Sequence, residues 1–204
     1  MSDLNLEHFR KFAAAARSKP SFEATFLTFI WKTGNWTTGK DEKMAVHNGR
    51  RIAADIADLM IGFQRYYKET KQWDYRIVRV NDDAPTPKRE ELSDPNQEDW
   101  PDGKDPWTLI RVLPLFDPET HEIFVWKAGG FSEANAIAIL TDAWRERLEA
   151  HPEDADKVPV IELDSERKGD DNFNPLPDLV DWITRPPILR HINPPAALND
   201  DIPF

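Results

Sequence analysis

Aromatic and cationic side chains are interleaved in this chain, and that mixture is what grips a polynucleotide: ring faces stack on bases and cations neutralise phosphates. Trp31, Lys32, Trp36, Lys40 and Lys43 surround one Gly-containing turn. A second run holds Phe63, Arg65, Tyr66, Tyr67, Lys68, Lys71, Trp73, Tyr75, Arg76 and Arg79. Arg111 and the Trp126-Lys127 pair lie on a later segment, and Arg50 and Arg51 add two cations ahead of the second run. Each has an ordinary alternative, since rings in a strand-rich protein fill the core and basic residues solvate a face. Phe26, Phe29, Phe124 and Trp144 read as core. Trp36, Tyr66, Tyr67 and Trp73 flank polar turn residues and read as the better stacking candidates.

Other chemistry finds little support. The chain has no Cys, so disulfides, thiolate nucleophiles and Cys-based metal centres are absent. His8, His47, His121, His151 and His191 show no paired metal spacing. There is no phosphate-cradling Gly-rich loop, dinucleotide glycine pattern or nucleophile elbow. Asp82-Asp83 and Asp170-Asp171 could hold Mg²⁺ in a nuclease, or simply solvate loops. No nucleophile, base and orienter assemble, so neither an enzyme nor a cofactor is expected.

Elements must hold the rings and cations in place. The 204 residues, 40% of them hydrophobic, suffice for one medium domain with appendages. The net charge of -11 hides an asymmetry: residues 1–80 carry 14 Lys+Arg against 9 Asp+Glu, while the rest is acidic. A basic first third can meet phosphate whatever the total. No apolar run approaches a membrane span, and Met1 to Arg17 lacks a signal peptide's apolar core, so a cytoplasmic location is expected.

Leu4 to Arg17 reads as a helix ended by Lys19-Pro20, and Phe22 to Trp31 as a strand. Arg51 to Tyr67 is ambiguous, with helical spacing at Ile52, Ile56, Leu59 and Phe63 but alternation at Leu59, Ile61 and Phe63. Tyr75 to Val80 reads as a strand, and residues 81–106 as a long polar connection. Trp107 to Leu115 and Glu122 to Lys127 form a hairpin turned by Asp117-Pro118-Glu119-Thr120. Ser132 is the expected N-cap of a helix from Glu133 to Glu149, with Ile137, Leu140, Trp144 and Leu148 inward. Val158 to Leu163 reads as a strand followed by an acidic loop, and Leu179 to Ile183 as a short last strand. From Arg185 onward, prolines without periodicity read as an extended, disordered tail.

The sequence ends Asp200-Asp201-Ile202-Pro203-Phe204. This resembles bacterial single-stranded DNA-binding proteins, whose acidic tails finish with the same five residues. The resemblance implies partner docking: a pocket takes the Phe204 ring, a cation pairs its carboxylate, and Asp200 and Asp201 meet a basic rim. The Gly/Gln-rich linker of that family is missing here. The body is similar to a phage and prophage family whose members are left uncharacterised or described as single-stranded DNA-binding proteins. That similarity rests on Lys88-Arg89-Glu90-Glu91-Leu92, Trp100, Asp105-Pro106-Trp107, Leu113-Pro114-Leu115 and Asp117-Pro118-Glu119-Thr120, and spans roughly Phe26 to Leu163. It implies a strand for Leu59 to Tyr67.

The expectation is a mainly β (α+β) protein. Residues 1–184 form an OB-like antiparallel β-barrel with an N-terminal helix and one capped helix, and residues 185–204 a disordered, acidic-tipped docking tail. The expected function is to coat single-stranded DNA with little sequence preference and to recruit replication, recombination and repair proteins through the tail. A metal-dependent nuclease, and a tail mimic that does not bind DNA, remain open, as does homo-oligomerisation. No membrane partner is expected.

Overall fold

The computed structural model describes residues 25–38, 44–46, 48–82, 85–100, 103–169 and 172–191. The N-terminal helix expected over Leu4 to Arg17 lies outside them. The described residues form ten strands and one α-helix. The strands are β1 (Thr25–Ile30), β2 (Asn35–Thr38), β3 (Met44–Val46), β4 (Arg51–Ala54), β5 (Met60–Tyr67), β6 (Gln72–Arg79), β7 (Trp107–Phe116), β8 (Ile123–Ala128), β9 (Lys157–Lys168) and β10 (Asn172–Thr184). The helix, α1, is Phe131–Ala150.

All ten strands belong to one sheet, in the order β10-β9-β4-β7-β8-β1-β2-β3, with β5 on β7 and β6 on β5. Its strand pairs are antiparallel except β1 with β8, where Thr25–Leu27 run parallel to Phe124–Trp126. The expected all-antiparallel arrangement is corrected at that pair. The sheet curls until its far parts meet. Phe173 N–H donates to Trp31 O at 2.7 Å, and Trp36 Nε1 to Asp164 O at 3.1 Å. A Cβ on Gly34, which has φ +70°, would lie 2.7 Å from the Phe173 ring, so only glycine fits this closure. The result is a half-barrel.

The sheet forks at β7. One edge of β7 pairs with β4 at Leu115 and Phe116, then with β5 from Trp107 to Val112. Residues 55–59 bulge between them, with a 3₁₀ turn at Ile56–Asp58. Pro114 sits at the fork. Its O accepts from Asp55 N–H at 2.9 Å, and its missing N–H leaves no donor stranded where the partner strand swings away. The Arg51 to Tyr67 ambiguity is resolved here as a strand, a turn and a second strand.

The inner face of the curl buries Leu27, Phe29, Trp36, Ile52, Leu113, Leu115, Trp126, Ile161 and Leu163, and Ala136, Ile137 and Leu140 of α1 plug it. The outer face buries Ala53, Met60, Ile110, Val112, Val158 and Leu189. Period-two alternation along β7 and β9 builds both layers.

Helix α1 begins two residues before the expected Glu133. Gly130 is its N-cap, and Glu133 reaches back to accept the Gly130 N–H at 3.1 Å. Ser132 therefore lies inside the helix. Strands β9 and β10 are also longer than expected, because the acidic stretch after Leu163 stays in the sheet. Residues 185–189 belong to the body as well. Leu189 is buried in the outer core. Arg185 donates to Asp55 Oδ2 at 2.7 and 3.0 Å and pairs with Asp58 at 3.1 Å. Burial raises the Asp55 carboxyl to about 6 despite that bond, and its Oδ1 has no hydrogen-bond partner.

Candidate nucleic-acid interface

The richest aromatic and cationic run, Phe63 to Arg79, forms the β5–β6 hairpin. Strand alternation divides it between two faces. On one face Gly62, Gln64 and Tyr66 lie opposite Ile77, Tyr75 and Trp73; on the other Ile61, Phe63, Arg65 and Tyr67 lie opposite Val78, Arg76, Asp74 and Gln72. A single contiguous cluster was expected; the hairpin makes two.

The first face is packed. Trp73 is 7% exposed, with its ring centroid 5.0 Å from Tyr66 and 6.1 Å from Tyr75. Lys127 Nζ sits over the Trp73 ring at 4.9 Å and over Phe26 at 5.4 Å. Gly62 is required here, since a Cβ would stand 2.0 Å from Arg76 O on β6. The second face is covered at its Arg65–Trp107 end, where Trp107 is buried, and opens toward Phe63 and Leu109. Ile61, Phe63, Arg65 and Tyr67 are each half-buried, Arg76 is exposed, and Leu109 on β7 is 39% exposed. On β7, Arg111 pairs with Ile61 and Leu109 with Phe63. Arg111 has no ion-pair partner among the described residues.

The connection after β6 is tied to this open face. Arg89 Nε donates to both carboxylate oxygens of Asp105, at 2.7 and 2.9 Å, and Arg89 Nη2 donates to Asp94 O at 2.6 Å. Burial works to raise the Asp105 carboxyl, but Arg89 and the Trp107 N–H outweigh it and hold Asp105 below its ordinary value. Trp100 Nε1 and Trp107 Nε1 donate to the Asp94 and Ser93 carbonyls. Asp94 and Ser93 then bond Arg65, whose guanidinium lies 4.6 Å from the Tyr67 ring. The polar connection is thus an organised strap, and Arg65 is one of its anchors.

The other predicted residues scatter. Trp36 and Trp126 are corrected to core: both are 0% exposed, their centroids 5.0 Å apart, and Trp126 Nε1 donates to Glu133 at 3.2 Å. Trp126 and Lys127, adjacent in sequence, point to opposite faces. Arg50 is half-buried, bonded to Asp117 at 2.5 Å and Glu122 at 3.1 Å, and so fixes the β7–β8 turn. Arg79 pairs with Asp58 at 3.5 Å, and Arg51 with Glu162 at 3.5 Å on an exposed surface. Trp31 is 53% exposed with Lys32 Nζ 5.2 Å from its ring, at the β1–β2 turn. Lys68 and Lys71 are exposed at the β5–β6 turn, where Lys71 takes a left-handed φ of 52°. Lys40, Lys43 and Asp200 to Phe204 lie outside the described residues.

Sequence reasoning did not single out Ile61 or Leu109. The signal was available: with β5 read as a strand, every second residue from Ile61 shares the face of Phe63 and Arg65. Among the described residues no cluster of His, Asp and Glu could hold a metal ion, and no helix is long and apolar enough to cross a membrane. No protein-family model, curated protein or solved structure matches this chain.

Proposed function

We propose that this chain binds single-stranded DNA with little sequence preference and carries, in Asp200 to Phe204, a docking segment for proteins of replication, recombination and repair. The observation that carries the binding half is the β5–β6–β7 sheet, where aromatic, apolar and arginine side chains share a face that no part of either core covers. Rings give sequence-tolerant stacking, and cations give salt-dependent attraction to phosphate. An acidic chain does not exclude this, because association follows the local field. The curled sheet is taken as an OB-like barrel, with the β5–β6 hairpin and the strap of residues 85–100 and 103–106 as its elaborations. The docking half rests on the identity of Asp200 to Phe204 with the bacterial tail motif. The protein acts by binding, in the cytoplasm, rather than by catalysis.

The test is a mobility shift of labelled oligo(dT) at low salt, with unlabelled duplex as competitor. A shift that duplex fails to compete away supports the reading. No shift, or equal competition by duplex, refutes it. A peptide covering 192–204, titrated into a host protein that docks bacterial single-stranded DNA-binding tails, tests the second half. It should bind, and the same peptide with Phe204→Ala should not.

A further inference from the structure

We infer that single-stranded DNA crosses the open face of the β5–β6–β7 sheet, with Phe63 as a base-stacking platform and Arg76 and Arg111 as phosphate partners to either side. This rests on the DNA-binding reading above and chooses between the two faces of the hairpin. Of the hairpin's stacking candidates from sequence, Tyr66 and Trp73 lie on the packed face with Tyr75, and Tyr67 lies on the other face. There the Trp73 ring is already shared among Tyr66, Tyr75 and Lys127. Trp73 is 7% exposed, so a base could reach it only by displacing the Tyr66 and Tyr75 rings and Lys127 packed on it. On the other face Ile61, Phe63 and Leu109 belong to neither core cluster.

The cations on this face give the occupant its chemistry. Phe63 sits directly between Arg76 on β6 and Leu109 on β7, and Arg111 is two residues along β7 on the same face, beside Ile61. β6 and β7 flank β5, so the two guanidinium stems start roughly 12 Å apart, diagonally across the sheet, with the Phe63 ring near the line between them. Arg111 has no carboxylate partner among the described residues. Arg76 meets Asp74 at 3.2 Å with most of its side chain exposed, a pairing that contributes little and that phosphate can replace. Arginine beside a partly open ring also stacks on bases. A duplex hides its base faces, so a half-buried phenylalanine with one part of its ring free, beside the exposed Leu109, favours an unpaired chain.

The experiment is a titration of labelled oligo(dT) by the full 204-residue protein at several salt concentrations, with the unfolding midpoint of every variant measured alongside. Phe63→Ala should weaken binding roughly 5- to 150-fold. Arg76→Gln and Arg111→Gln should each flatten the slope of log affinity against log salt by about 0.7. Thr108→Ala, an exposed position with the register parity of the packed face, should bind as wild type does. If Phe63→Ala fails to fold, Leu109→Asp carries the test, and should weaken binding by at least tenfold. Loss of binding in Tyr66→Ala, with Phe63→Ala and Arg111→Gln unchanged, overturns the choice of face and leaves DNA binding standing. A wild-type protein that ignores oligo(dT) overturns both.

Discussion

Single side chains in this molecule are decided by which face of a strand they fall on. Trp36 flanks polar Asn35 and Thr37, which made it look like a turn aromatic. In β2 those neighbours point the other way, and the indole fills the centre of the curl against Phe29 and Trp126. Trp36→Ala should therefore cost about 3–5 kcal/mol of stability, measured by denaturant unfolding, through the cavity it leaves. An unchanged midpoint would place the ring outside the core. Asp55 gives a pH prediction with a definite sign. Its folded pKa, about 6, is well above the ordinary aspartate value of 3.8, so the folded state holds the proton more tightly. The stability from this group is complete below about pH 4 and is lost as pH rises through 6, by about 3 kcal/mol at most. Asp55→Asn should remove that slope and match or exceed wild-type stability at pH 7.5. Arg185→Ala should destabilise by about 3–5 kcal/mol, because it leaves a buried carboxylate with no cation. Wild-type and Asp55→Asn proteins with the same pH slope between 4 and 6 would contradict the account. This cluster was illegible in the sequence, since Asp55 and Arg185 are far apart in the chain and meet only at the fork.

At the scale of elements, alternation was readable wherever one face was apolar, as in the β7–β8 hairpin and its Asp117 turn. It failed where strands extend beyond the core. The end of β9 and the start of β10 carry charges, Pro175 and Pro177, and read as loop. Those prolines have a role. Among the described residues β10 ends the sheet, and Phe173 N–H points away from β9 to Trp31 O, so alternation turns the backbone nitrogens of 175 and 177 to the same outer edge. Proline has no N–H there to offer another chain, which protects the edge from strand addition. Pro175→Thr combined with Pro177→Thr should shift the protein toward larger species in light scattering as concentration rises. A profile identical to wild type would remove that role. The helix start was misplaced for a related reason. Glu133, and not a side chain at the cap, satisfies the first turn, and it also accepts the buried Trp126 indole N–H. Burial raises its carboxyl above the ordinary value. Glu133→Ala should cost about 1–3 kcal/mol in thermal or denaturant unfolding, most of it from the stranded donors. A loss below half a kcal/mol would show the helix start to be held otherwise.

For the whole molecule, the functional classes come from sequence and the usable surface from structure. Composition, missing catalytic motifs and the resemblances pointed to a DNA-binding body with a docking tail. They could not show that the hairpin splits its rings and cations between two faces, because that depends on reading 60–67 as a strand paired on both sides. Nor could they show that Arg50, Arg65 and Arg79 are taken up by Asp117, Asp94 and Asp58. What remains is an open, arginine-bearing apolar sheet face on an acidic protein. The most direct measurement of the central claim is the salt dependence of wild-type affinity for oligo(dT) beside duplex of equal length. The single strand should be preferred, with affinity falling on a log–log slope of roughly -1.4 as Arg76 and Arg111 neutralise two phosphates. Equal affinity for both, or binding to neither at low salt, would contradict it.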